Sequence, residues 1–272
     1  AGDIALDLLR LCAFLSPDGV DLALVAAKSS EAVLPPAFAA AVADKFSCDD
    51  ALAALTSLSL LRQEDGPVGL VLIFHRLLLE VVRDWMGDDA GALWGSSAVQ
   101  LVNRLLPYRV TSPENWPLCA RLMPHVAPLE AHAPRAGDAG RALGRLLNQC
   151  SVYLTERGDR AGALALAKQA VTLGRETEKD RPLNLAAALG NFAGRLVELK
   201  RLDEAEAVLR EALQIHEQLL KPADPRLATT LSNLAKVHLD RRTFEKAELL
   251  LLRAMEIDRG AHGAESPEYG VL

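Results

Sequence analysis

LLNQCSVYLTERGDRAGALALAKQAVTL (146–173), ALGNFAGRLVELKRLDEAEAVLREALQI (188–215) and TLSNLAKVHLDRRTFEKAELLLLRAMEI (230–257) stand at a fixed step of 42 residues. Leu147, Leu189 and Leu231 share one column, and the small residues Ser151, Ala193 and Ala235 share another. So do Ala163, Ala205 and Ala247, and again Ala170, Ala212 and Ala254; Leu173, Ile215 and Ile257 close the unit. Apolar residues recur at helical spacing, and a polar break (ERGDR, LKRLD, DRRTF) divides each unit into two helices. The alanine columns fall where the two helices must approach closely. One such hairpin cannot bury its apolar face alone, so the hairpins must stack into a solenoid. Pro225 and Pro267 are also 42 apart, which makes Glu268 onward the start of a fourth unit. The expectation is a piece of a longer array, its last helix (244–259) left with bare apolar surface and able to form a dimer through that end.

The pattern resembles the tetratricopeptide repeat in the 42-residue form of kinesin light chains. The small residue of the first helix and the two alanines of the second carry the resemblance. The family's large aromatic near the end of the first helix is replaced by Leu154, Leu196 and His238. In that repeat the first helix lines the concave face. The resemblance therefore puts Gln149, Asn191 and Asn233 in one row there. Seven residues on, two turns along the same face, come Glu156, Glu198 and Asp240. Lys236 is placed on this face too. Amides can both donate to and accept from an extended peptide backbone, and carboxylates can pair with its Lys or Arg. A peptide or protein ligand is the expected partner; the alternative is a plain solvated helix face with local ion pairs.

Residues 1–90 read differently. DIALDLLRLCAFL is an amphipathic helix, broken by Ser16-Pro17-Asp18-Gly19. A second helical stretch covers about 21–27, and Pro35-Pro36 precedes a third through Ala43. Ser47 with Asp50 reads as a capping box for a fourth, DDALAALTSLSLL. Glu64-Asp65-Gly66-Pro67 reads as the turn of a β-hairpin, and HRLLLEVVRDWM returns to helix. Helices followed by one hairpin spell a winged helix-turn-helix. A DNA-reading version needs basic residues on its recognition helix, yet the helix expected at 49–61 has Asp49 and Asp50 and no Lys or Arg.

CAFLSPDGVDLALV, DDALAALTSLSLL and FHRLLLEVVRDWM are similar to the winged-helix domain of signal-transduction ATPases of the NB-ARC (STAND) class. In bacterial members this domain precedes tetratricopeptide repeats, and ENWPLCARLMPHV looks like the helices that join the two. The resemblance implies that His75, in Phe74-His75-Arg76, touches the diphosphate of bound ADP and helps hold the resting state. Arg76 stands where many members carry Asp. ADP or ATP would belong to the parent protein, whose NTPase core would lie upstream in cis. The residue-level alternative is that His75 caps a helix or fills a core edge.

Composition sets the remaining bounds. Half the chain is hydrophobic and only 4% aromatic, so the core is aliphatic and favours helix. The net charge is −6; residues 1–90 hold 14 Asp+Glu against 6 Lys+Arg (−8), leaving +2 for the rest. No basic stripe appears, which argues against nucleic acid and acidic membrane. Cys12, Cys48, Cys119 and Cys150 form no CxxC pair and read as buried thiols in a reducing cytosol, so a cytoplasmic location is expected. No run approaches the length of a membrane helix. His125 and His132 are seven apart but no third ligand follows, so no metal site is expected. No phosphate loop, nucleophile elbow, HExxH or kinase signature appears, so no catalytic residue is assigned and the chain is not expected to be an enzyme. The expected fold is mainly α: a winged-helix domain at 1–90, a helical connector at 91–140, and tetratricopeptide-like repeats at 141–272. The expected role is the sensor half of an NTPase switch, with a constitutive binding scaffold as alternative and a DNA-binding regulator as a lesser one.

Overall fold

The computed structural model describes residues 2–262; the start of a fourth repeat expected from Glu268 lies outside them. The chain forms two compact units, 1–150 and 151–272.

In the first unit, helix α1 (Gly2–Cys12) buries Leu8, Leu9, Leu11 and Cys12, then stops in the 13–16 turn. A two-residue strand β1 (Val20–Asp21) leads into the one-turn helix α2 (Leu22–Val25). Helix α3 (Pro36–Ala43) starts on a proline at its first position, where the missing N–H would have had no helical partner. Helix α4 (Lys45–Ser57) begins before the expected capping box, because Asp44 is the cap: its Oδ2 accepts the Ser47 N–H at 2.9 Å. Ser47 and Asp50 lie inside the helix, and the helix gains Lys45 beside the exposed Asp49 and Asp50.

Strands β2 (Leu61–Gly66) and β3 (Gly69–Phe74) form the expected hairpin. Its turn is tighter and later than the sequence implies: Glu64 and Asp65 pair with Val71 and Leu70, leaving only Pro67 and Val68 unpaired. Gly69 follows with φ +124°, which a side chain would strain. Strand β1 pairs with the outer side of β3, so the hairpin becomes a three-stranded sheet of order β1-β3-β2. Helix α5 (Arg76–Leu105) leaves this sheet, capped by His75 and kinked at Gly87, which has φ +69°. Beyond the kink, Trp94 packs edge-on against Phe38 at 5.3 Å.

Residues after α5 fold back on the first ninety through helices α6 (Trp116–Leu122) and α7 (Val126–His132). Arg121 Nε bonds the buried Asp21 Oδ2 at 2.6 Å, and His125 Nδ1 accepts the Ser16 N–H at 3.0 Å. Burial holds the His125 ring down at about pH 4, against a smaller upward pull from Asp21, so it stays a neutral acceptor. All four cysteines are buried free thiols; burial pushes Cys150 up to about 12. Helix α8 (Gly137–Glu156) carries the chain from this unit into the next.

In the second unit, α8 ends at Glu156, α10 (Pro182–Glu198) at Glu198 and α12 (Pro225–Asp240) at Asp240. Their partners α9 (Arg160–Thr177), α11 (Leu202–Leu219) and α13 (Phe244–His262) start four residues later in each case. Each stop is built alike. The Asp159, Arg201 and Thr243 N–H groups bond back to the Leu154, Leu196 and His238 carbonyls. The residue between sits left-handed: Gly158 at φ +81°, Lys200 at +57°, Arg242 at +59°. This is the Schellman stop, and it uses glycine only once in three. The alanine columns do what their spacing requires. Ala163, Ala205 and Ala254 are fully covered, and Ala212 packs with Val171, Ala186 and Leu189.

Two stability outcomes follow from these stops and columns. Arg242→Gly is expected to stabilise and Gly158→Ala to destabilise, each by about 1 kcal/mol, because only glycine takes a left-handed φ without a Cβ penalty. Ala212→Leu is expected to cost about 1–3 kcal/mol by overpacking. Urea unfolding of the three variants checks both; equal stability of the left-handed pair would refute the first.

Candidate protein-binding surface

Helices α10 and α12 are neighbours, and each carries a run of half-exposed or exposed positions on one side. On α10 that face is Ala187, Gly190, Asn191 and Gly194; on α12 the equivalent positions are Thr229, Ser232, Asn233 and Lys236. Asn191 and Asn233 thus hold the same register position on adjacent helices, both half-buried. A Cβ built on Gly190 or Gly194 would meet nothing within 4 Å. Neither glycine is demanded by packing, and each costs the helix about 1 kcal/mol relative to Ala. Sequence inspection passed over them because glycine in a helical pattern reads only as a weakness. Gln149 lies on α8 ahead of Cys150, within the first unit, and is half-buried.

The carboxylate row is less available than its spacing implies. Asp240 Oδ2 takes Lys200 Nζ at 3.1 Å, and Glu198 Oε1 lies 3.5 Å from Arg195. Glu156 is exposed at the end of α8, and Lys236 is exposed on α12. The two paired acids are neutralised locally, so this face is chiefly one of amides and small residues.

Ion pairs instead run between repeats. Arg175 bonds Glu211 at 2.6 Å, and Arg253 bonds Glu217 at 2.8 Å. Position 175 is equivalent to 217, and 211 to 253, so the same two columns are used with their signs exchanged. Arg241 bridges Asp203 at 2.5 Å and Glu206, and Arg210 bonds Glu206 at 2.5 Å. Burial pulls the Glu206 carboxyl up, but the Arg241 hydrogen bond and the charges of Arg210, Arg241 and His238 outweigh it and hold it below the ordinary range. Burial holds His238 below the ordinary histidine value, with Glu206 pulling the other way. Its Nδ1 lies 3.0 Å from Thr243 Oγ1, at the turn. These cross-repeat pairs are legible in the sequence only once the 42-residue register is known.

In the first unit, His75 is exposed and its Nδ1 accepts the Leu77 N–H at 3.3 Å, closing the N-terminus of α5. Arg76 beside it is exposed. Among the described residues no cluster of His, Cys, Asp or Glu could hold a metal ion, and no helix is long and apolar enough to cross a membrane.

Comparison with known proteins agrees with the geometry of the second unit. Residues 184–260 match the tetratricopeptide repeat family model. The chain contains tetratricopeptide repeats. Residues 2–90 match a domain of unknown function, DUF7779. Among solved structures, the chain is similar in fold to the crystal structure of BtubC (BKLC) from P. vanneervenii. That likeness has a TM-score of 0.50 and 15% identity over 69% of this chain and 72% of that one. No curated protein matches the chain. The repeats and the mainly helical architecture with one small sheet are therefore established, and tetratricopeptide repeats are protein-interaction scaffolds.

The Glu206 network sets an acid limb. A carboxyl whose folded pKa lies below its unfolded value stabilises above the unfolded value, near 4.3 for Glu, and loses that contribution as pH falls through the folded value. Glu206→Gln should lower stability at neutral pH and flatten the decline of stability below about pH 4.3. Chemical denaturation of both proteins across that range checks it; an unchanged slope would count against the network.

Proposed function

We propose that the repeats bind an extended segment of a protein partner across the α10/α12 face, and that this chain is the sensing part of an NB-ARC-type nucleotide switch. The observation that carries the first half is the open floor of Gly190 and Gly194 flanked by Asn191 and Asn233. A groove floor without Cβ atoms lets a ligand backbone approach closely, and each amide can donate to and accept from that backbone. With Asp240 and Glu198 already paired, selection rests on main-chain hydrogen bonding and shape more than on cationic side chains.

The second half rests on the order of parts. A helical domain with a small β-wing precedes the repeats, and His75 stands at the start of the last helix of that domain. The reading as a winged helix accommodates β1 as an added edge of the wing. His75 fits a phosphate contact: with Nδ1 accepting from Leu77, its Nε2 carries the proton and can donate to an anionic oxygen. A bound nucleotide would supply the two states to be switched. From this chain His75 would report them, while the phosphate loop would belong to an upstream NTPase domain acting in cis. A partner on the repeats shifts the switch only by binding one state better than the other. The exposed Asp49 and Asp50 on α4 disfavour DNA as the partner.

Three variants test this. In a pull-down from host lysate with the intact chain, Asn191→Ala with Asn233→Ala should abolish capture of a specific partner; capture that survives both changes removes the site from this face. Gly194→Ala should stabilise the fold by about 0.5–1 kcal/mol while weakening partner binding. If binding is unchanged, the glycine floor is not contacted. In the parent protein, His75→Ala should weaken ADP retention; unaltered retention would leave the scaffold reading in its place.

A further inference from the structure

We infer that the joint between the second and third hairpins, α11 against α12, is proton-sensitive: when His216 and His238 take up protons, the third hairpin loosens from the second while the α9/α10 joint stays closed. Both joints follow the same 42-residue register, so their matching positions compare directly. At α9/α10 those positions hold Gly174 and Ala188 at one end, and Leu164 and Leu196, which share one apolar cluster, at the other. At α11/α12 they hold His216 with Thr230, and Glu206 with His238. His216 Nδ1 in the last turn of α11 lies 3.0 Å from Thr230 Oγ1 on α12. His238 Nε2 in the last turn of α12 lies 3.8 Å from Glu206 Oε1 on α11. Both histidines are buried. A covered imidazole therefore stands between the helices at either end of this joint, where the preceding joint has no titratable side chain at the matching positions.

Two hydroxyls fix which ring nitrogen carries the proton. Thr230 Oγ1 lies 3.0 Å from the Arg226 carbonyl, which can only accept, so the hydroxyl proton goes there. His216 Nδ1 must then be the donor to the same oxygen. At the other end Thr243 Oγ1 donates to the His238 carbonyl at 3.1 Å and accepts from His238 Nδ1 at 3.0 Å. Each neutral ring thus keeps its lone pair on Nε2, and a second proton can enter only there. Around His238 stand Glu206 and Arg210 of α11, Arg241 after α12, and Lys246 of α13. Glu206 is a poor counter-charge, because Arg210 and Arg241 already bond it. Around His216 stand Arg226 and Asp224, which bond each other. Burial is the largest cause holding both rings below the ordinary histidine value. The folded value lies below the unfolded one, near 6.5. The joint is therefore at full strength above that pH and weakens as pH falls from it toward the folded values. Glu206 stays charged across this window, since its own loss begins only below about pH 4.3. The inference is independent of partner binding on the α10/α12 face, which holds neither histidine.

Hydrogen exchange of the full 272-residue chain at about pH 7 and about pH 5, corrected for intrinsic exchange rates, tests it. Between the two, protection in α12 should fall by about tenfold more than protection in α10. His216→Asn with His238→Asn keeps a side-chain N–H donor and removes the titration, so that difference should vanish. Imidazole nitrogen shifts give a second readout in the unaltered chain: both rings should be Nδ1–H at neutral pH and titrate below about 6.5. Equal loss of protection in α10 and α12 overturns the inference, as does a difference that survives the double variant. A ring found as Nε2–H, or titrating at the ordinary value, overturns it as well. Circular dichroism shows whether the double variant folds, and the ring shifts decide the matter if it does not.

Discussion

The second unit depends on where each first helix stops. A one-residue shift in that stop would rotate the following helix by about 100° and carry its alanine column off the neighbour. The six-to-one bonds Asp159–Leu154, Arg201–Leu196 and Thr243–His238 hold the stop in one place three times over. They do so even though two of the three left-handed positions are Lys200 and Arg242. The strain of those residues is tolerated because the geometry they preserve packs Ala205 and Ala212 against α10. Local preference yields to packing there, in the way expected when tertiary contacts outweigh an intrinsic propensity.

Cross-repeat electrostatics act on order more than on strength. Arg175–Glu211 and Arg253–Glu217 are partly exposed, and such pairs contribute about 0–1 kcal/mol each. Their polarity, however, reverses from one interface to the next. A hairpin offered to the wrong neighbour would meet a like charge at the same column. The cost of that mismatch discriminates between stacking orders that the aliphatic core, with its repeated Leu and Ala columns, cannot tell apart.

Much of this was legible in the residues, for definite reasons. The 42-residue period survives because five columns bear size constraints, so helix ends and the alanine contacts could be placed without coordinates. The hairpin was legible from Gly66-Pro67, but its turn was misplaced because Glu64 and Asp65, turn-like by composition, sit on an exposed strand edge where acids are tolerated. Strand β1 escaped notice because two residues carry no alternation. The α4 cap was misassigned because Asp44 and Ser47 are both good cap residues three apart, and only the Asp44–Ser47 bond distinguishes them. For the candidate surface, the amide positions were legible from register. The neutralisation of Asp240 was not, because its partner Lys200 belongs to the preceding turn, 40 residues away.

The surface itself is where local rules are broken without internal recompense. Elsewhere in the second unit each departure has a partner: the left-handed residues close a helix, and the covered Glu206 meets Arg241. Gly190 and Gly194 have none. They weaken the middle of α10 beside a half-buried amide, while the matching turns of α12 carry Ser232 and Lys236 instead. Consistency across local and global levels is what specifies a fold, and an uncompensated breach marks selection for something other than stability. The two helices therefore offer unlike walls, one smooth and one polar. A segment bound between them as proposed would lay its backbone on α10 and direct its polar groups to α12, which would give the proposed groove a sense of direction that a uniform repeat would lack.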